Sequence, residues 1–197
     1  MESAAWTDLV PSVALGIGLA ACAGLRAWLP LLLAGALARG GVIELGASFQ
    51  FISSNRALAL FAVATLVEIV GDKVPAVDHA LDTLSTVLRP AAGALLAASV
   101  MWQISDPLTA IALGVAVGAP SALVPHAAKS LLRAGSTVLT GGLANPVLSL
   151  LEDVAALVLF VLAVVVPVLV AAGLLFVAFL IVRRLARRAP ASPISAT

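Results

Sequence analysis

Two acidic clusters lie inside apolar runs, each three residues after a hydroxyl. Thr65 precedes Glu68, with Asp72 and Lys73 beyond it, and Ser149 precedes Glu152 and Asp153. A carboxylate inside a membrane segment is expensive, so it marks an ion or proton site by default. Steps of three and four place Thr65, Glu68 and Asp72 on one helical face, where they can bind a proton or a cation within a helix bundle. The plainer alternative is that Asp72 and Lys73 end a helix at the interface while Glu68 pairs with a basic neighbour. Asn145-Pro146 has the form of a helix start, with asparagine as cap and proline in the first turn. On that reading Ser149 and Glu152 form a site on the Asn145 face, or only a capping box.

Basic groups recur near these acids. His126, Lys129 and Arg133 share a face. A basic helix end can simply snorkel, which is the expectation for Arg133, whereas His126 titrates near neutrality and can relay protons. Lys73 and Lys129 are the lysines of the chain, and lysine shifts its pKa readily when buried. Arg26 lies deep in apolar sequence and must meet a carboxylate, free carbonyls or water; Glu68 or Glu152 is the natural partner. Asp78, His79 and Asp82 lie close on a turn of helix, and Glu68, Asp72, Glu152 and Asp153 add oxygen ligands of the kind suited to magnesium, calcium or manganese. Lys73, Lys129 and Arg26 would repel such an ion, so neither a metal nor a cofactor is expected. No nucleophile-base pair, phosphate loop or zinc helix is visible, so an enzyme is not expected.

The elements that must position these groups follow from composition. The hydrophobic fraction is 62% and the charged fraction 11%, which with a mean hydropathy of +1.16 indicates an all-α membrane protein. The formal charge of +1 is spread without a basic stripe, so nucleic acid is not an expected partner. Membrane lipids and a small ion or solute are, and a homo-oligomer stays open. Leu19-Ala-Ala-Cys22 has the form of a lipoprotein cleavage box, but the start carries Glu2 and Asp8 and no basic residue. Cys22 is therefore expected to be a packing residue.

A spanning helix needs about 20 apolar residues. By that measure the chain holds about six segments in a single transmembrane domain over 1–189, followed by a disordered tail at 190–197. The first segment, 10–38, contains Arg26 and Pro30 and is expected to be broken or re-entrant. The second covers 57–72, the third 91–104 and the fourth 107–133. The long run 147–182 folds back near Pro167 to give the fifth and sixth. Between the second and third, Val77, Leu81, Leu84 and Leu88 repeat at helical spacing, which predicts a short amphipathic helix at the membrane surface over 77–89. The Lys and Arg bias places both termini on the cytoplasmic side of a bacterial inner membrane.

Three short matches in the same order suggest two related three-helix halves, 11–104 and 107–185. Residues 14–21 align with 112–119, 63–68 with 147–152, and 91–95 with 171–175. A tandem unit with an odd number of spans would make the copies inverted repeats, a transporter construction with its site between the halves. The small-residue pairs Gly16/Ala20 and Gly114/Gly118 fit close helix packing.

Four segments together resemble a known family: Gly24-Leu-Arg-Ala-Trp-Leu-Pro30, Glu68-x3-Asp72-Lys73-Val-Pro75-x2-Asp78, Arg89-Pro90-x2-Gly93 and Asn145-Pro146-x2-Ser149-x2-Glu152-Asp153. They resemble the small bacterial membrane proteins grouped as domain of unknown function 4126. The resemblance implies an inner-membrane location and a compact helical fold, and brings no activity with it.

The expected function is a small secondary transporter or channel-like permease. Glu68 and Glu152 would bind a coupling proton or cation, Arg26, Lys73, His126 and Lys129 would balance charge or meet substrate, and Thr65, Ser149 and Asn145 would supply neutral oxygens. One alternative is a structural or partner-binding membrane protein held by ion pairs. Another is a protein that handles lipid phosphate through Arg89 and Lys129.

Overall fold

A computed structural model describes residues 2–72 and 75–188, with the backbone alone at 2–8, 75–83, 186 and 188. Lys73, the side chains of Val77, Asp78, His79, Leu81 and Asp82, and the tail at 190–197 lie outside the described residues. The described chain is all-helical: α1 (Glu2–Leu25), α2 (Leu29–Arg39), a 3-10 helix (Ala47–Ser53), α3 (Asn55–Gly71), α4 (Pro75–Val100), α5 (Pro107–Thr140), α6 (Asn145–Val165) and α7 (Pro167–Arg188). Three helices, α5, α6 and Pro167–Leu185 of α7, are long and apolar enough to cross a membrane. A fourth span arises if the 3-10 helix and α3, bent by 58°, are taken together. Leu9–Leu25, Leu29–Arg39 and Leu84–Val100 are shorter apolar helices. Outward-facing Leu60, Val138, Leu150 and Leu169 give the bundle the apolar coat of a membrane protein.

The centre is a three-helix stack of α1, α4 and α5, built on small residues. Gly16 faces Ala97, and a Cβ on Gly118 would lie 2.3 Å from the Gly93 carbonyl oxygen. At Gly24 a Cβ would meet the Ala122 carbonyl oxygen at 2.1 Å, so α1 and α5 touch there backbone to backbone. Close contact of this kind is how membrane helices associate where burial from water gives little. The expected small-residue packing is therefore present. Cys22 is fully buried in this stack and its thiol donates to the Gly18 carbonyl.

The first apolar stretch is broken, as expected, at Arg26–Trp28. The break reverses the chain. Trp28 lies beside Leu88, while the Gly46 N–H donates to the Ser99 carbonyl at 2.8 Å, near the other end of α4. The stretch therefore runs out and back as two short apolar helices, Leu9–Leu25 and Leu29–Arg39. The run 147–182 also divides at Pro167. There Gly18 meets both Ala163 of α6 and Val170 of α7, and α7 then runs alongside α1 toward Pro120 and Ser121 of α5.

Two expected boundaries move. The surface helix over 77–89 and the segment at 91–104 are one continuous α4, which passes through Pro90. Proline is tolerated there because neighbouring helices can satisfy the freed backbone groups. The segment ending near Arg133 continues to Thr140, so α5 is 34 residues or about 50 Å long. Its start is capped by Asp106, which accepts from the Thr109 N–H at 2.8 Å and the Thr109 hydroxyl at 2.5 Å. The Thr109 hydroxyl and N–H hold the Asp106 carboxyl below the usual carboxylate range.

Helix directions bear on the repeat. The α1 and α5 helices both run toward the end of the bundle that carries Arg26 and His126. In contrast, α3 ends there and α6 begins there. The first matched pair is thus parallel and the second antiparallel, an arrangement that does not confirm two related halves.

Candidate functional site

At that end, charges from α1, α3, α4, α5 and α6 meet in one buried cluster. Arg26, the first residue past α1, is 0% exposed. It pairs with Asp72 at the C-terminus of α3, and its Nε approaches Asp153 Oδ1 at 2.6 Å without hydrogen-bond alignment. Its Nη2 donates to Ser149 Oγ at 3.0 Å, and its Nη1 reaches the Glu68 backbone oxygen at 3.5 Å. The expected partners, the carboxylates of Glu68 and Glu152, are replaced by Asp72 and Asp153. The reason is positional: Asp72 lies one turn beyond Glu68 and faces Arg26 as α3 ends.

Asp72 is the hub. Its Oδ2 also meets Arg133 Nη2 at 3.1 Å and Lys129 Nζ at 3.5 Å. Glu152 closes the other side: Arg133 grips it through Nε at 3.1 Å and Nη2 at 3.0 Å, and Lys129 Nζ lies 3.0 Å away. Such a two-point guanidinium fork is among the stronger charge-assisted contacts. Arg133 is thus not a snorkelling anchor, because a carboxylate on α6 draws it inward and leaves it 5% exposed.

Glu68 has a different setting. Its Oε1 accepts from the Ala27 N–H at 3.1 Å and its Oε2 from the Trp28 N–H at 3.3 Å. These are backbone donors freed where α1 breaks, so the break and the carboxylate satisfy each other. Among the described residues, the cation at Glu68 is Arg89, with Nη2 at 3.5 Å. Arg89 Nη1 also donates to the Gly24 carbonyl at 3.1 Å and to His126 Nδ1 at 3.2 Å. Because a guanidinium cannot accept a hydrogen bond, Nδ1 of His126 is the acceptor in that contact.

Among the described residues, four cations (Arg26, Arg89, Lys129, Arg133) therefore balance four anions (Glu68, Asp72, Glu152, Asp153). Arg26, Arg89 and Lys129 are the largest fully buried side chains described. Among the described residues, no group of three His, Cys, Asp or Glu side chains is arranged to hold a metal ion.

The structure brings Arg26, Glu68, Asp72, His126, Lys129, Ser149, Glu152 and Asp153 together. Thr65 is on the same face of α3 and buried, but its hydroxyl has no hydrogen-bond partner among the described residues. Asn145 stands apart. It lies inside the first turn of α6, Ala144 holds the cap position without a side-chain bond, and the Asn145 amide donates to Thr137 at 3.2 Å. Ser149, a turn further in, is used by Arg26, so the capping-box reading does not apply. Three residues were missed as members of the ion site: Arg133, expected only to snorkel, Arg89, named only for lipid phosphate, and Trp28. Arg89 looked like the end of a surface helix, although its place in the Arg-Pro-x2-Gly motif was a signal. Trp28 was visible only as part of the Arg-Ala-Trp-Leu-Pro motif.

The fold and the cluster define a class: small all-helical proteins of membrane-helix character with a charge-balanced core at one end of the bundle. Within that class, the chain belongs to the family described as Domain of unknown function (DUF4126), which it matches over residues 13–187. No curated protein matches the chain, and neither does any solved structure.

Proposed function

We propose that the protein is a small secondary transporter or channel-like permease, with Glu68 as its working carboxylate. The supporting observation is the unequal neutralisation of the acids. Among the described residues, Asp72 is surrounded by three cations and Glu152 by two, whereas Glu68 has one, at 3.5 Å, beside a broken helix. A carboxylate held mainly by backbone N–H groups can exchange a proton or cation without dismantling the ion-pair lattice. Broken helices next to ion sites are a recurrent transporter feature.

In this reading the Arg-rich end, with Arg89, Lys129, Arg133 and the Arg183–Arg184 region of α7, faces the cytoplasm. Because the chain reverses at Arg26–Trp28, the N-terminus then faces the opposite side from the C-terminus, in place of both lying inside. The experiment is proton flux in proteoliposomes under an imposed potential. Wild-type protein should carry a flux that Glu68→Gln abolishes, while an unchanged flux in that variant removes the assignment.

A second reading is favoured by the closed geometry around Asp72. There every carboxylate is met by buried cations, as in a purely structural lock that ties α3, α5 and α6 to the end of α1. Breaking one partner of such a lattice costs about 3–5 kcal/mol, so this half contributes to folding whatever crosses the bundle.

A further inference from the structure

We propose that the crevice between α3 and α4 binds a lipophilic monovalent organic cation, a substituted ammonium compound that enters from the lipid phase. This deepens the transport reading and rests on it, because the same Glu68 is the anionic partner.

The crevice consists of two adjoining cavities of about 170 and 190 Å³ that share Trp28 and Leu88. The first is wholly apolar and includes Phe61, whose ring stacks on Trp28 with centroids 6.2 Å apart. The second reaches Glu68 and Ser85, while Val63 on its outer wall is 60% exposed on the lipid-facing surface. The α3 helix packs only sparsely on α4, so the opening is lateral.

Three features select the guest. The walls are apolar, so the guest must already partition into membranes. Among the described residues the charged side chain lining the crevice is a carboxylate, so an anion is repelled and a cation attracted. An indole beside that carboxylate is the favoured partner of a quaternary or tertiary ammonium group. Glu68 is also the acid with the weakest claim on it, because Arg89 has alternative acceptors in the Gly24 carbonyl and His126. A bound cation would therefore displace Arg89 from Glu68 and leave Arg89 with those two acceptors.

The test uses the full chain in lipid nanodiscs with radiolabelled benzyltrimethylammonium as probe and benzenesulfonate as its anionic control. Saturable binding of the cation alone is expected. Affinity should fall roughly tenfold in Glu68→Gln and roughly fivefold in Trp28→Leu. Leu88→Trp, which fills the crevice without touching an ion pair, should remove binding. Val63→Trp, on the exposed face of α3, should do the same and replaces it if it fails to fold. No saturable binding, equal binding of the anion, or unchanged affinity in a folded crevice-filling variant would overturn the proposal. Failure here with proton flux still abolished by Glu68→Gln leaves the transport reading standing. Selective binding without any wild-type flux supports the site and removes the transport reading.

Discussion

The two acids of α3 lie one helical turn apart and live in different electrostatic worlds. Asp72 is gripped by side-chain cations from α5 and from the end of α1. Among the described residues, Glu68 is held by two backbone N–H groups and one guanidinium at 3.5 Å. Both are buried, so burial does not separate them; the type of partner does. A carboxylate compensated by fixed charges is an anchor, since protonating it would strand several cations. One compensated by peptide dipoles can change state while its surroundings stay in place. The lesson is that within one buried cluster, counting and ranking the partners of each acid separates structural from exchangeable positions.

This contrast can be broken most forcefully at Arg26. Arg26→Leu strands Asp72 and Asp153 and frees Ser149. It should cost about 3–5 kcal/mol and leave little folded protein by size exclusion and thermal melting in detergent. A variant that melts like wild type would show that the lattice is not needed for folding.

Packing sets the next effect. At Gly24 an added Cβ collides with backbone, and backbone cannot swing away as a side chain can. Gly24→Val should destabilise by about 1–3 kcal/mol and move the Arg89 anchor at the Gly24 carbonyl. Hydrogen exchange around Arg89 would report that movement, and unaltered protection there would separate the stack from the site.

Glu68→Gln is expected to be milder. The glutamine carbonyl can still accept one of the two N–H bonds, so the loss should be about 1–2 kcal/mol, clearly less than for Asp72→Asn in the same melt. The smallest effect belongs to Thr65→Val. The hydroxyl has no partner, and an isosteric apolar replacement of an unsatisfied group is neutral or stabilising, within about 1 kcal/mol. A large loss from Thr65→Val would mean that the hydroxyl serves an element beyond the described residues.

Much of the site could be read before the fold. Helical spacing aligned Thr65, Glu68 and Asp72, and the cost of buried charge singled out Arg26. Partner identity could not be read, because it depends on which carboxylate faces Arg26 where α3 ends. The break near Arg26 was legible from Arg26 and Pro30 as a broken or re-entrant segment, but the choice between the two was not, because apolar residues continue on both sides and hydropathy carries no direction. Arg89 was hidden for a related reason. The amphipathic spacing of 77–89 suggested a surface, whereas the helix runs on through Pro90 and carries Arg89 into the centre. The repeat stays unconfirmed: short Ala, Leu and Val matches arise easily in a chain so rich in them, and they carry no helix direction.

The most direct test sets the two acids against each other in one preparation. Glu68→Gln and Asp72→Asn would be reconstituted in identical liposomes, with folded fraction and proton flux measured for each. The account predicts that Asp72→Asn loses folded protein, while Glu68→Gln keeps its fold and loses flux. Equal loss of fold in both variants, or full flux in Glu68→Gln, would contradict it.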